Sequence, residues 1–262
     1  MKNFHRLLLM DFKRAFGLRF WLLIAGIVLL FYFNLSNYPF YGTETLTYRM
    51  MIAGDKFFLC VMLVFSTAVY GLSFCNDWKN RNIRNVVIRS NVFAYAASKV
   101  IVCAISAVAA LFIAKLIMIL SQIPFSHGFS SFTADSGFGD APSGSLNALA
   151  VNGNYFLWIL LNCLRFALEG TGFAVLSLTL STVFINTYAT LAVPVCAYMA
   201  YDFFFYALNL PGWLSLSEIY ENQFCSGNTV YAIGLALFLA LLSCTILGYF
   251  YYIGVRKRFE NE

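Results

Sequence analysis

Charge is what this sequence has least of. Only 11% of its 262 residues are Asp, Glu, Lys or Arg, while 61% are hydrophobic and 18% aromatic. A soluble domain carries about 25% charged residues, so this chain could not cover a water-facing surface. That excludes a soluble enzyme, a nucleic-acid binder and a disordered chain. Histidine is almost absent: His5 and His127 both fall outside the apolar stretches, with no Cys, His or carboxylate at ligand spacing. Metal chemistry therefore has no support, nor has a Ser/His protease within the membrane. The seven cysteines form no CxxC pair. Cys60, Cys75, Cys103, Cys163, Cys196 and Cys244 sit in or beside apolar runs and Cys225 in a polar loop, which reads as small apolar thiols rather than a disulfide framework. No GxxxxGK[ST] loop is present to cradle a nucleotide phosphate.

What is abundant is long apolar sequence. A membrane-crossing helix needs about 20 mainly apolar residues. Six stretches qualify, at about 20–35, 57–75, 99–121, 155–182, 187–208 and 230–254. The fourth and fifth are separated only by a short polar patch (Ser181, Thr182, Asn186, Thr187), which predicts a tight hairpin. Of the 17 basic residues, 13 fall in the N-terminal segment, between the second and third stretches, or in the tail after the sixth. Lys/Arg bias puts those regions in the cytoplasm. The expectation is an all-α, polytopic membrane protein of one domain, 1–262, with six spans and both termini cytoplasmic.

Three further segments carry their own patterns. Residues 2–18 put Phe4, Leu7, Leu8, Phe12, Ala15 and Phe16 on one helical face and most basic residues elsewhere, the pattern of an interfacial helix. After Pro211-Gly212, the 211–224 stretch has an apolar face of Leu214, Leu216, Ile219 and Tyr220 beside Glu218 and Glu221, which suits a re-entrant segment. The stretch 75–91 is polar and basic; Asp77 reads as an N-cap or first-turn acid, and Ile83, Val86 and Val87 form a ridge flanked by Arg81, Arg84 and Arg89. A short amphipathic helix over 77–89 is predicted there, open to the cytoplasm.

Ionisable residues inside spans are costly and are functional candidates by default. Four occur: Lys115, Arg165, Glu169 and Asp202. Arg165 and Glu169 share a helix face at i, i+4. Lys115 and Asp202 lie at matching depth from the outer ends of their spans, where a bridge between neighbouring helices would fix register or line a path. Gly170-Thr171-Gly172 permits close helix contact.

With these features together the chain resembles the membrane subunit of ABC-2 type transporters, the permease class of type V ABC exporters. The resemblance covers nearly the full length: basic interfacial helix, six spans, long first cytoplasmic loop and broken segment before the last span. Asp77, the 81–89 helix, Ser90, Tyr95 and Lys99 stand where that family's first cytoplasmic loop has its acidic residue, helix, small or polar residue, Tyr and Lys. Arg81-Asn82 and Ser90-Asn91 replace the glycine and proline usual around that helix.

The resemblance implies that 77–89 is the coupling helix. Asp77, Arg81, Ile83, Arg84 and Val87 would then meet a separate cytoplasmic ATP-binding subunit that holds ATP and Mg, with no cofactor in this chain. It further implies a second permease copy, identical or related, a bacterial cell membrane, and a lipid, peptide or drug-like cargo. The competing expectation is an ion- or proton-coupled secondary transporter in which Glu169 and Asp202 titrate.

Overall fold

The computed structural model describes residues 2–37, 45–46, 49–50, 56–80, 83, 91–126, 128, 146, 149, 152–210 and 229–260. All regular structure among them is helical: α1 (Lys2–Ala15), α2 (Leu18–Ser36), α3 (Lys56–Tyr70), α4 (Ser73–Lys79), α5 (Val92–Gln122), α6 (Tyr155–Leu180), α7 (Thr187–Ala207) and α8 (Thr229–Glu260), with a 3₁₀ turn at Ile123–Phe125.

Five of these helices (α2, α5 with its 3₁₀ turn, α6, α7 and α8) are long and apolar enough to cross a membrane. The second expected span takes another form. α3 has 15 residues, and α4 resumes for seven after a break at Gly71-Leu72. The break lies where α3 meets α6: a Cβ on Gly71 would come within 3.2 Å of the Ala174 carbonyl oxygen and of the Ser177 Cβ. The N-terminal segment divides at Gly17, so α1 ends at Ala15 and α2 starts at Leu18. The third span starts earlier than its apolar run, at Val92, and the sixth carries its helix through Arg256, Lys257 and Arg258. The expected hairpin is present, with Asn186 capping α7 by accepting a hydrogen bond from the Tyr188 N–H at 3.0 Å. The 211–224 segment lies outside the described residues.

The centre of the bundle is α5 packed on α6, with α3 and α8 against both and α2 against α3 and α5. Gly170 of α6 makes the central crossing tight, because a Cβ there would collide with Leu111. Two apolar clusters are stacked along the bundle. The first joins α2, Leu63, Ala110–Ile119 of α5 and Trp158–Ala167 of α6. The second joins Ala15, Tyr70, Phe74, Tyr95–Ala107, Ala174, Leu178, Tyr251 and Val255. Thus α3 and α6 run from the first cluster to the second and α5 runs back. α1 and the end of α8 meet at the second cluster, which is the basic end of the bundle.

The bundle's outside is apolar as well. Leu18, Leu29, Phe203, Phe238 and Leu241 are each more than half exposed, and only 17% of α8's most apolar window is buried. A monomer in water rarely shows contiguous apolar surface on this scale, whereas lipid tails cover it without cost. The chain is a multi-pass helical membrane protein.

Candidate functional site

The densest polar chemistry in the described structure lies at the basic end. In α1, Leu7, Asp11 and Ala15 recur every four residues and form the stripe the helix buries, at 7%, 0% and 2% exposure. Asp11 therefore enters the protein in the middle of an apolar face. Its Oδ1 accepts hydrogen bonds from the Tyr70 hydroxyl (2.6 Å) and the Lys99 ammonium (3.0 Å), and its Oδ2 from the Ser98 hydroxyl (2.7 Å). Lys99, 1% exposed, also reaches Asp77 Oδ2 at 2.8 Å and donates to the Tyr70 oxygen at 3.0 Å. Asp77 in turn accepts from the Tyr95 hydroxyl at 3.1 Å and pairs with Arg14 at 3.3 Å. The rings of Tyr70 and Tyr95 flank the ammonium at 5.0 and 5.5 Å.

Two carboxylates and two cations sum to zero charge, and both oxygens of each carboxylate are occupied. A buried ion is tolerated only when paired and hydrogen-bonded in this way. The arrangement leaves no open position for a ligand. What it does is fasten α1, the end of α3, α4 and the start of α5 to one ammonium. Among the described residues no group of three His, Cys, Asp or Glu could hold a metal ion.

A second set of contacts secures the α6–α7 turn beside it. Arg258, near the end of α8, donates to the carbonyls of Thr182 (2.8 Å) and Val183 (2.9 Å) and lies 5.5 Å from the Trp78 ring. Lys79 donates to Thr187 at 3.1 Å. In the sequence Arg258 reads as a charge marking the cytoplasmic side, and Lys99 as that and as the lysine of the resembled family's loop pattern; neither reading gives the partners found here.

The residues singled out from the sequence are distributed as follows. Asp77 is not the start of a helix: it lies in the last turn of α4 and is nearly buried. An acid there opposes the helix dipole, but contact with Lys99 and Arg14 outweighs that. Ile83 is 3% exposed and packs in the second apolar cluster, so it anchors the loop to the bundle. The predicted helix over 77–89 is thereby described only at its start and at Ile83; Arg81, Arg84 and Val87 lie outside the described residues. Lys115 is 5% exposed, its ammonium 4.5 Å from the Phe166 ring and 5.7 Å from that of Phe31, so it faces α6 and α2. Glu169 is buried, while Arg165 and Asp202 are half-buried; α7, which carries Asp202, packs on α3 and α6.

Sequence reasoning missed Asp11. A signal was available: it is an acid at the four-residue spacing of Leu7 and Ala15, inside the apolar stripe. An apolar groove of about 470 Å³ runs along the lipid-facing side of α5, α6 and α8, lined by residues such as Ile105, Phe112, Leu168, Leu237 and Leu241. Its one hydroxyl, on Thr171, donates to the Ala167 carbonyl of its own helix at 3.0 Å, so the wall offers a ligand no free hydroxyl proton. No protein-family model, curated protein or solved structure matches the chain.

Proposed function

We propose that this chain is the membrane-spanning permease subunit of an ATP-driven exporter of the ABC-2 type. It works as a pair with a second permease copy and with a separate cytoplasmic ATP-binding subunit that holds ATP and Mg. The observation that carries the reading is the Lys99 clamp. The chain passes from α4 into the following loop two residues beyond Asp77, and Lys99 ties Asp77 to Asp11 of α1 and to α5. Movement imposed on that loop by a partner is passed to α1, α3 and α5 as one body, the kind of rigid coupling that domain motion requires. Alternation of the helices along the bundle supports six crossings, with α3 and α4 together completing the second. The basic end, where α1 and the end of α8 meet, is then cytoplasmic, by the Lys/Arg rule. Arg81, Arg84 and Val87 are the residues of the loop assigned to the partner, while Asp77 and Ile83 hold the loop to the bundle. The scarcity of intramembrane charge supports an amphipathic or hydrophobic cargo.

The test is purification of the tagged chain from its native cell in mild detergent, with mass spectrometry of what remains bound. A stoichiometric partner with a phosphate-loop lysine and ATPase activity is expected, and it should be lost in Arg81→Glu/Arg84→Glu while the permease still folds. A chain recovered only with itself would overturn the reading. The weight would then move to ion-coupled transport through Glu169 and Asp202.

A further inference from the structure

We infer that the outward face of α1, continued into the first turn of α2, is a binding surface for the headgroups of anionic phospholipids. Residues 2–36 hold five Lys or Arg (Lys2, Arg6, Lys13, Arg14, Arg19) and one acid, Asp11. That acid is turned fully inward and is taken up by Lys99, Tyr70 and Ser98. Arg14 leans toward Asp77. Arg6, Lys13 and Arg19 are left exposed, and none of them pairs with an acid among the described residues. Folding has separated the charges of this segment, leaving the cations outside without the carboxylate that would neutralise them.

The occupant is a lipid surface because of what lies between those cations. Leu9, Phe16, Leu18 and Trp21 are 48%, 38%, 76% and 56% exposed, and Leu18 and Trp21 continue into the apolar outer face of α2. The surface is thus continuous with the wall that lipid tails already cover. Interleaved cationic and apolar side chains are what an interfacial helix uses on an anionic leaflet, and Lys and Arg reach from such a position to the headgroups. The bend at Gly17 is braced by a run of ring contacts, Phe12–Phe16 at 6.0 Å, Phe16–Phe20 at 4.7 Å and Phe20–Trp21 at 5.3 Å, which holds the two helices' basic residues in one fixed arrangement.

The experiment reconstitutes the full chain in phosphatidylcholine discs with and without phosphatidylglycerol. It measures the ratio of the two lipids retained on detergent extraction and the melting temperature in each disc. The wild type is expected to enrich phosphatidylglycerol and to melt higher in its presence. Each cation near an anionic leaflet contributes about a fivefold factor, so Arg6→Gln/Lys13→Gln/Arg19→Gln should lose at least about tenfold of the preference and all of the thermal gain. Arg6→Lys/Arg19→Lys, which keeps the charge, should retain both. An unchanged preference in the triple Gln variant overturns the inference, as does a wild type indifferent to phosphatidylglycerol. The latter result, with an acidic protein captured in its place, would assign the face to that protein.

Discussion

Lys99 and Lys115 lie on one helix and are both all but buried, yet the protein holds them in different ways. Lys99 sits between two carboxylates and accepts the company of a tyrosine oxygen, at distances of 2.8 to 3.0 Å. Lys115 lies deeper in the span, its charge facing the rings of Phe166 and Phe31. The difference follows position. At the basic end several elements converge (α1, α4, the start of α5), so opposite charges can be brought together from distant parts of the chain. Within the span, neighbours are helices of mostly apolar residues, and the faces of Phe166 and Phe31 lie against the ammonium. One lysine organises tertiary structure; the other is accommodated by it.

The comparison can be broken most decisively at Lys99. Lys99→Met leaves Asp11 and Asp77 buried without their cation, and breaking a buried pair in this way costs about 3–5 kcal/mol. The expected outcome is a large drop in melting temperature in detergent or loss of folded protein. Adding Asp11→Asn and Asp77→Asn should restore much of the stability, since no buried charge is then left uncompensated and Arg14, which loses its partner, is exposed to solvent. If Lys99→Met alone melted with the wild type, the clamp would not be what joins α1 to the bundle.

Lys115→Met sharpens the contrast. An ammonium over an aromatic face contributes about 0.5–2 kcal/mol, so the part of the loss that the rings account for should be clearly smaller than the loss at Lys99. The cost should shrink further in a Phe166→Leu background, where the closer ring is gone; the double-mutant cycle reads that coupling directly. Equal costs with and without Phe166 would mean that the ring does not hold this charge.

The smallest effect is expected at Arg14. Its side chain is 44% exposed and 3.3 Å from Asp77, and exposed pairs are worth about 0.2–1 kcal/mol after solvent screening. Arg14→Gln should lower the melting temperature only slightly, and added salt should erase the difference. A loss as large as that of Lys99→Met would transfer the organising role from the buried lysine to the rim.

Much of this fold was legible beforehand because the bilayer is a simple solvent with a known thickness. The helices over 155–180 and 187–207 match the apolar runs to within a residue or two. The Ser181–Thr187 hairpin and the close approach at Gly170 were both readable from local residue types. The break inside the second stretch was not, because hydropathy cannot see that α3 meets α6 at Gly71. Nor could it show that Ile83, which shares a helical ridge with Val86 and Val87 in the sequence, is drawn into the apolar cluster that also holds Tyr95.

Composition and run length alone are enough to make this a helical membrane protein, to place its long apolar helices and to mark its basic end. Those are properties measured against a hydrocarbon layer, and they need no knowledge of which helices touch. What the charges do depends on how the helices pack. Asp11 and Lys99 are 88 residues apart, on helices whose separate patterns mark one acid as a flaw in an apolar stripe and one lysine as a cytoplasmic marker. Asp11 is stable in that stripe because its counter-ion comes within 3.0 Å, and which faces meet is set by the packing of α1 on α5.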